Sequence, residues 1–593
     1  MPIDRRVPSP PELTLRAIVT GMILGATLSL CNIYSGLKVG WTFNMSIAAA
    51  LLSHGFWQSL HRSVKTRAWG MLENNINQTA ASSGAAIIGA GLVAPIPAYT
   101  MLTGQQLSWG QLSLWTFAVS LVGVVVAVGL RRQLLVVDQL PFPQGVATAE
   151  TLKEIYGKGV EALVRTRMLI TSAMTAALAK VVAEMARLTP VPLPGALSIS
   201  STPGRITLGN LGFAVDPSLM MVAFGAIIGP RAATSLMLGA LGAWGIVAPA
   251  VIHAGWVQAG EPDGVWFAPL VEWLLWPGVA MMVTASLTSF ALSWRSIFGA
   301  LQNMVPGAER PQDENNENST VPRRYFIGAL AVVTIFAVVM QSTLFGIGVG
   351  IGISAVLLTF LLAIVAGRVS GETGITPIGA MGKVTQLTFG AISNASPTTN
   401  LMTANVTGGA ASQCADMLHD LKAGLMIGAS PRSQAIAQVF GVLAGALAGS
   451  AGYLLLVPDP ATMLMTPQWP APAVATWKAV AELFVVGWQA VPPGSLWAMT
   501  LAGIGGILLT IIEAKTPSRV ARYIPSPASI GLAFVIPAWT SISVFIGGII
   551  HRLGQRYATH WTQRFLLVLA AGVVAGESLA GVAVTVKQLL FGS

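Results

Sequence analysis

Apolar residues run along this chain in long, nearly unbroken stretches, and most polar residues fall between those stretches rather than at every second position within them. Leu114–Leu130, Tyr325–Met340, Leu344–Ala366 and Val439–Leu456 each approach or exceed the ~20 residues that carry a helix across a bilayer. The strict alternation that a transmembrane barrel needs is missing. The pattern predicts an all-α polytopic membrane protein with about 16 transmembrane or re-entrant helices in two homologous halves. Segments 141–156, 217–252, 371–393 and 525–550 are broken by Gly or Pro. Each can be two short helices, a re-entrant hairpin or one kinked span.

Two stretches depart from the apolar rule. Residues 73–84 contain Glu73, Asn74, Asn75, Asn77, Gln78 and Thr79, and residues 398–409 contain Thr398, Thr399, Asn400, Thr403, Asn405 and Thr407. In hydrocarbon an unpaired amide is costly, so such residues face a cavity or another helix. Placing Asn77 over Asn405 also brings Gly84 near Gly408 and Gly409, as a diverged duplication would. Further local matches follow in the same order: 32–40 with 372–379, 143–150 with 431–438, and Asp216-Pro217-Ser218 with Ser526-Pro527-Ala528. The polar, low-complexity stretch 306–322 lies near the midpoint. The expected division is therefore a first half over 1–305, a cytoplasmic linker over 306–322 and a second half over 323–593.

Composition narrows the class. Only 9% of the 593 residues are charged, where a soluble protein carries about a quarter. The formal charge of +10 resides in short connections, among them Arg62, Lys65 and Arg67, then Arg131 and Arg132, then Arg519 and Arg522. That is the positive-inside bias, which accounts for the charge without a nucleic-acid partner. Connections 99–108 and 458–472 lack Lys and Arg and are expected outside, with the N-terminus in the cytoplasm and no cleavable signal. Cys31 and Cys414 are expected as free thiols. The six histidines show no ligand spacing, so no dedicated metal site and no cofactor are expected. No Walker A, G-x-S-x-G or H-E-x-x-H sequence is present, which argues against an enzyme.

Several motifs, in order along nearly the whole chain, resemble the oligopeptide transporter (OPT) family in its bacterial branch, related to the yellow-stripe-like metal-chelate transporters. They are Gly36-Leu37-Lys38-Val39-Gly40-Trp41, Glu73-Asn74-Asn75-Ile76 with Gln78-Thr79-Ala80-Ala81-Ser82, and Leu140-Pro141-Phe142-Pro143. In the second half come Ala415 to Gly424, running into Gly428-Ala429-Ser430-Pro431-Arg432, and finally Ala575-Gly576-Glu577-Ser578-Leu579-Ala580-Gly581. The resemblance implies secondary active transport of small peptides or peptide-like metal chelates, typically coupled to protons, in the inner (plasma) membrane. It is compatible with a homodimer. A passive channel is the runner-up from another class.

Candidate residues follow from chemistry and position. Asn74, Asn77, Asn400 and Asn405, with Gln78, can bind a carboxylate, amine or peptide backbone without burying net charge; the alternative is interhelical hydrogen bonding. Asn32, Tyr34 and Lys38 end a long apolar helix beside Gly36 and Gly40. They could contact cargo, or serve as an interfacial anchor. Glu73, Glu372 and Glu577 are the proton-coupling candidates, since a carboxyl partly removed from water can exchange a proton near neutrality. Glu73 could instead cap the helix that follows it. Lys180 and Glu184 should pair on one helix face. Asp416, Asp420 and Lys422 read as a cytoplasmic helix end and a structural hinge.

Overall fold

The computed structural model describes residues 11–157, 159–197, 205–292, 323–374, 376, 378–392 and 396–591. The expected linker 306–322 lies outside the described residues. The first half comprises α1 (Leu15–Val39), α2 (Ser46–Val64), α3 (Met71–Ala85), α4 (Pro95–Thr103), α5 (Trp109–Arg131), α6 (Pro143–Gly157), α7 (Gly159–Met185), α8 (Leu219–Ala240), α9 (Ala248–His253) and α10 (Phe267–Leu292). The second comprises α11 (Arg323–Phe345), α12 (Val349–Thr373), α13 (Ile378–Ile392), α14 (Pro397–Ile427), α15 (Pro431–Leu456), α16 (Pro472–Val486), α17 (Ser495–Lys515), α18 (Pro527–Ala533), α19 (Ala538–Tyr557) and α20 (Leu567–Phe591). Two antiparallel ribbons of two residues a strand, pairing Val191 with Val215 and Ala196 with Thr207, make the β structure of the described residues. Among those residues, 11 helical units are long and apolar enough to cross a membrane. The all-α polytopic expectation holds.

Local sequence sets the helix ends. Ser396, Ser430 and Ser526 each stand before a proline and accept a hydrogen bond from the backbone N–H three residues on, so α14, α15 and α18 start alike. Helix α1 stops at Gly40, whose φ of 78° is left-handed. The broken segments resolve differently from one another. After a turn with Phe142 at φ 43°, residues 143–157 form one helix. Helix α8 kinks at Gly229 before Pro230, while 525–550 divides into α18 and α19.

Burial sorts the helices into centre and rim. The most apolar window of the α3–α4 unit is 78% buried, against 11% for α7 and 17% for α17, which present their faces to lipid. Helix α14 is buried at every position from Thr399 to Ala415 and packs against α3, α4, α5, α6, α12 and α13. The two polar segments of the sequence are thus the innermost helices. Small residues bring their neighbours close. A Cβ on Gly441 of α15 would collide with the Ala80 carbonyl and Ser83 hydroxyl of α3, and one on Gly84 would stand 3.0 Å from the Gly25 Cα of α1. Lipid offers no hydrophobic drive for helix association, so such backbone approach supplies packing instead.

Candidate functional site

Helices α3 and α14 lie antiparallel along a shared polar seam. At one end Gln78 faces Asp420. Further on, Gly89 in the 3-10 turn Ala86–Ala90 meets Ser412 and Gly409, and beyond it Gly91 meets Asn405. At 100° per residue, positions 405, 409, 412, 416 and 420 share one face of α14, over about 22 Å of helix. That face carries Asn405, Gly409, Ser412, Asp416 and Asp420 toward α3 and its unwound continuation.

The unwinding is built by Gly91, whose φ of 117° few other residues could adopt and whose Cβ would sit 2.5 Å from the Asn405 amide nitrogen. Asn405 is 1% exposed, yet neither atom of its amide has a partner. Buried side-chain amides are ordinarily paired, so this one is an exception within the bundle.

Nearer Asp420 the seam widens into a cluster on four helices. Gln78 donates to Asn75 Oδ1 (3.2 Å) and Thr79 Oγ1 (3.1 Å). From α15, Gln434 donates to Thr79 Oγ1 (3.3 Å) and to the Asp420 carbonyl (2.7 Å). The Ser46 hydroxyl of α2 donates to Asp420 Oδ1 (3.3 Å). Asp420 Oδ2, Gln78 Oε1, Gln434 Oε1 and both amide atoms of Gln438 remain without partners.

The other predicted residues fall in distinct places. Asn74 and Asn77 turn toward α2: Asn74 accepts from Ser53 (2.8 Å) and donates to the Ala50 carbonyl (3.1 Å), while Asn77 donates to the Ala49 carbonyl (3.5 Å). Asn400 is about 30 Å along α14 from Asp420. Its amide exchanges two hydrogen bonds with Gln386 of α13, one of 2.7 Å and one of 3.0 Å. The proposed Asn set is therefore not one constellation. Lys383, also on α13, is 3% exposed, donates to Gln386 Oε1 (3.1 Å) and lies 4.6 Å from the Trp477 ring centroid. Asn32 is fully occupied: its Nδ2 donates to the Phe43 (3.1 Å) and Ala85 (3.0 Å) carbonyls, and its Oδ1 accepts from the Phe43 N–H (3.3 Å). Tyr34 and Lys38 do form a group, with the Lys38 ammonium 5.0 Å from the Trp469 ring centroid, Tyr34 edge-on to that ring and the Gln468 carbonyl accepting from Lys38.

The three glutamates differ in surroundings. Glu73 is 1% exposed and clamped by Arg16, Arg67 (2.6 Å) and the Thr14 hydroxyl (2.7 Å), while also accepting from the Gly70 N–H as a helix cap. Glu372 is exposed at the end of α12 and pairs with Arg368 at 3.3 Å, so it lacks the removal from water that made it a coupling candidate. Glu577 alone is deeply buried without an arginine or lysine in hydrogen-bond contact. It accepts from the Ser218 hydroxyl (2.6 Å) and the Met220 N–H (2.7 Å) at the positive end of α8. Lys180 and Glu184 pair at 3.0 Å, and both cysteines are free and buried, as expected.

One expectation is corrected. Asp416 and Asp420 do not end a helix: α14 continues to Ile427, and Asp420 is 2% exposed inside the bundle. Only Lys422 behaves as foreseen, reaching out to the Leu140 carbonyl (2.9 Å). Gln434, Gln438 and Lys383 fall outside the candidate residues, although each is a polar residue in an otherwise small or apolar helix.

The family described as OPT oligopeptide transporter protein matches residues 12–587. A Saccharomyces cerevisiae protein assigned as an oligopeptide transporter is 24% identical, over 98% of this chain and 97% of its own length. A Haemophilus influenzae protein with the same assignment is 25% identical over 93% of this chain and 91% of its own. A metal-nicotianamine transporter of Arabidopsis thaliana is 21% identical over 97% and 94%.

Proposed function

Because this chain belongs to the OPT oligopeptide transporter family, we propose that it is a secondary active transporter carrying small peptides or peptide-like cargo across the plasma membrane, driven by a proton gradient. The observation that carries the reading is the seam of unpartnered buried amides between the two innermost helices, from Asn405 to Gln78. A soluble enzyme's cleft would be lined by a nucleophile or base. This seam offers hydrogen-bond donors and acceptors along most of its length, with its carboxylates confined to the Asp416–Asp420 end, which suits a site that must release what it binds. The unwound turn at Gly91 fits the same reading, since transporters line their sites with broken helices. Of the three glutamates, Glu577 best meets the demands of a coupling group, being buried and held by hydrogen bonds that a proton could rearrange; Glu73 and Glu372 already have cationic partners.

Reconstitution into proteoliposomes tests this directly. Labelled tripeptides should accumulate when an inward proton gradient is imposed, and accumulation should collapse on adding a protonophore. Uptake indifferent to the gradient would remove the coupling. A metal chelate is the second reading, supported by the relatives named as metal-nicotianamine transporters. It predicts that an iron–nicotianamine complex, and not the tripeptide, competes for uptake.

A further inference from the structure

We propose that the cluster around Asp420 is a seat for a singly charged cation, whose two sources are a protonated amine on the cargo and a free sodium ion. The carboxylates of Asp416 and Asp420 stand one helical turn apart on the face of α14 that looks toward α3. Among the described residues neither forms an ion pair with a lysine or arginine, whereas Glu73, Glu184 and Glu372 each do. The nearest lysine in sequence, Lys422, is turned away to the Leu140 carbonyl.

The unpartnered atoms around Asp420 are mostly oxygens. Asp420 Oδ2, Gln78 Oε1 and Gln434 Oε1 come from three helices, and their residues are at most 2% exposed. Each side chain's donor atoms are already used, Gln78 toward Asn75 and Thr79, Gln434 toward Thr79 and the Asp420 carbonyl. The hydrogen bonds within the cluster thus fix these side chains and leave one buried acceptor on each without a partner. Unpartnered acceptors outnumber the unpartnered donors here, which are Asn75 Nδ2 and Gln438 Nε2. That excess, beside a carboxylate without a counter-charge, is complementary to a ligand that is positive and donates or coordinates through several contacts. A free amino terminus has one charge and three N–H bonds. A sodium ion has the same charge and takes carboxylate, amide and hydroxyl oxygens. A divalent transition metal fits less well: among the described residues no group of three His, Cys, Asp or Glu side chains comes together.

The amine source rests on the transport reading given above; the sodium source does not. Purified full-length protein is held in N-methyl-glucamine chloride at constant ionic strength and titrated with sodium chloride, with a tripeptide bearing a free amino terminus, and with its N-acetylated counterpart, following Kd by calorimetry. We expect saturable binding of sodium, of the free-amine peptide, or of both in competition, acetylation weakening the peptide at least tenfold. D420N should raise the Kd of whichever cation binds at least tenfold. D416N and Q434L, placed on different turns and helices, should raise it severalfold and serve if D420N does not fold. Sodium binding with no peptide binding would sink the peptide reading and leave the seat intact. Equal affinity for acetylated and free peptides together with no sodium binding overturns the seat, and so does cation binding unchanged by all three substitutions.

Discussion

At the scale of single residues, the amides in this bundle divide by whether the fold uses them. Asn32 spans the Phe43 and Ala85 carbonyls and the Phe43 N–H, tying the loop after α1 to the end of α3. Removing it strands buried backbone groups, so Asn32→Ala should lower stability by about 1–3 kcal/mol, read as an earlier thermal transition in detergent. Asn405 has no such duties. Asn405→Ala should melt within about 0.5 kcal/mol of the wild type while uptake falls at least tenfold; unaltered uptake would remove Asn405 from the pathway. Glu73 belongs with the structural group. Its clamp by Arg16 and Arg67 joins the N-terminal segment to α3, and Glu73→Gln should destabilise by about 2 kcal/mol, moderated by the exposure of Arg67. Its uptake, corrected for folded protein, should keep the wild-type response to a proton gradient.

At the scale of elements, the relation of α3 to its neighbours is set by absent side chains. Gly441 of α15 sits where any Cβ meets the Ala80 carbonyl and Ser83 hydroxyl. Gly441→Ala should force α15 off α3 and cost about 3 kcal/mol, seen as loss of monodisperse protein by size exclusion. Gly104 is the control. Its φ of 70° is left-handed but nothing lies within 4 Å of the added carbon, so Gly104→Ala should cost only about 1 kcal/mol. The polar elements themselves were legible. Thr14, Ser396 and Ser430 as caps, and Gly40 as a stop, are readable because they act through backbone atoms a few residues away. Which face of a polar helix meets which neighbour was not. Asn74 and Asn77 project to α2 while Gln78, one residue on, projects to α14. Sequence adjacency put them in one group, and the helical repeat separated them.

At the scale of the whole molecule, the innermost pair, α3 and α14, carries the polar segments, while α7 and α17 are the most exposed of the apolar spans among the described residues. Glu577 lies where α20 meets the start of α8, so a change in its hydrogen bonds would act on how those two helices seat against each other. If it couples the gradient, Glu577→Gln should leave peptide binding within about twofold of wild type. It should also abolish the stimulation of uptake by an inward proton gradient in proteoliposomes. Retained stimulation would assign coupling to another group.

The sequence by itself determined that the chain spans a membrane as helices, that residues 73–84 and 398–409 are its polar exceptions, and that its motifs resemble one transporter family. Those features are one-dimensional: hydropathy over ~20 residues, residue type, and order. Tertiary structure decided the rest, because burial and partnership depend on residues hundreds of positions apart. Glu372 and Asp420 look alike on paper, acidic residues beside a helix end. Folding leaves the first at the surface with Arg368, and it encloses the second with Gln78 and Gln434. A carboxylate's chemistry is set by the neighbours that replace its water, and those neighbours are chosen by packing.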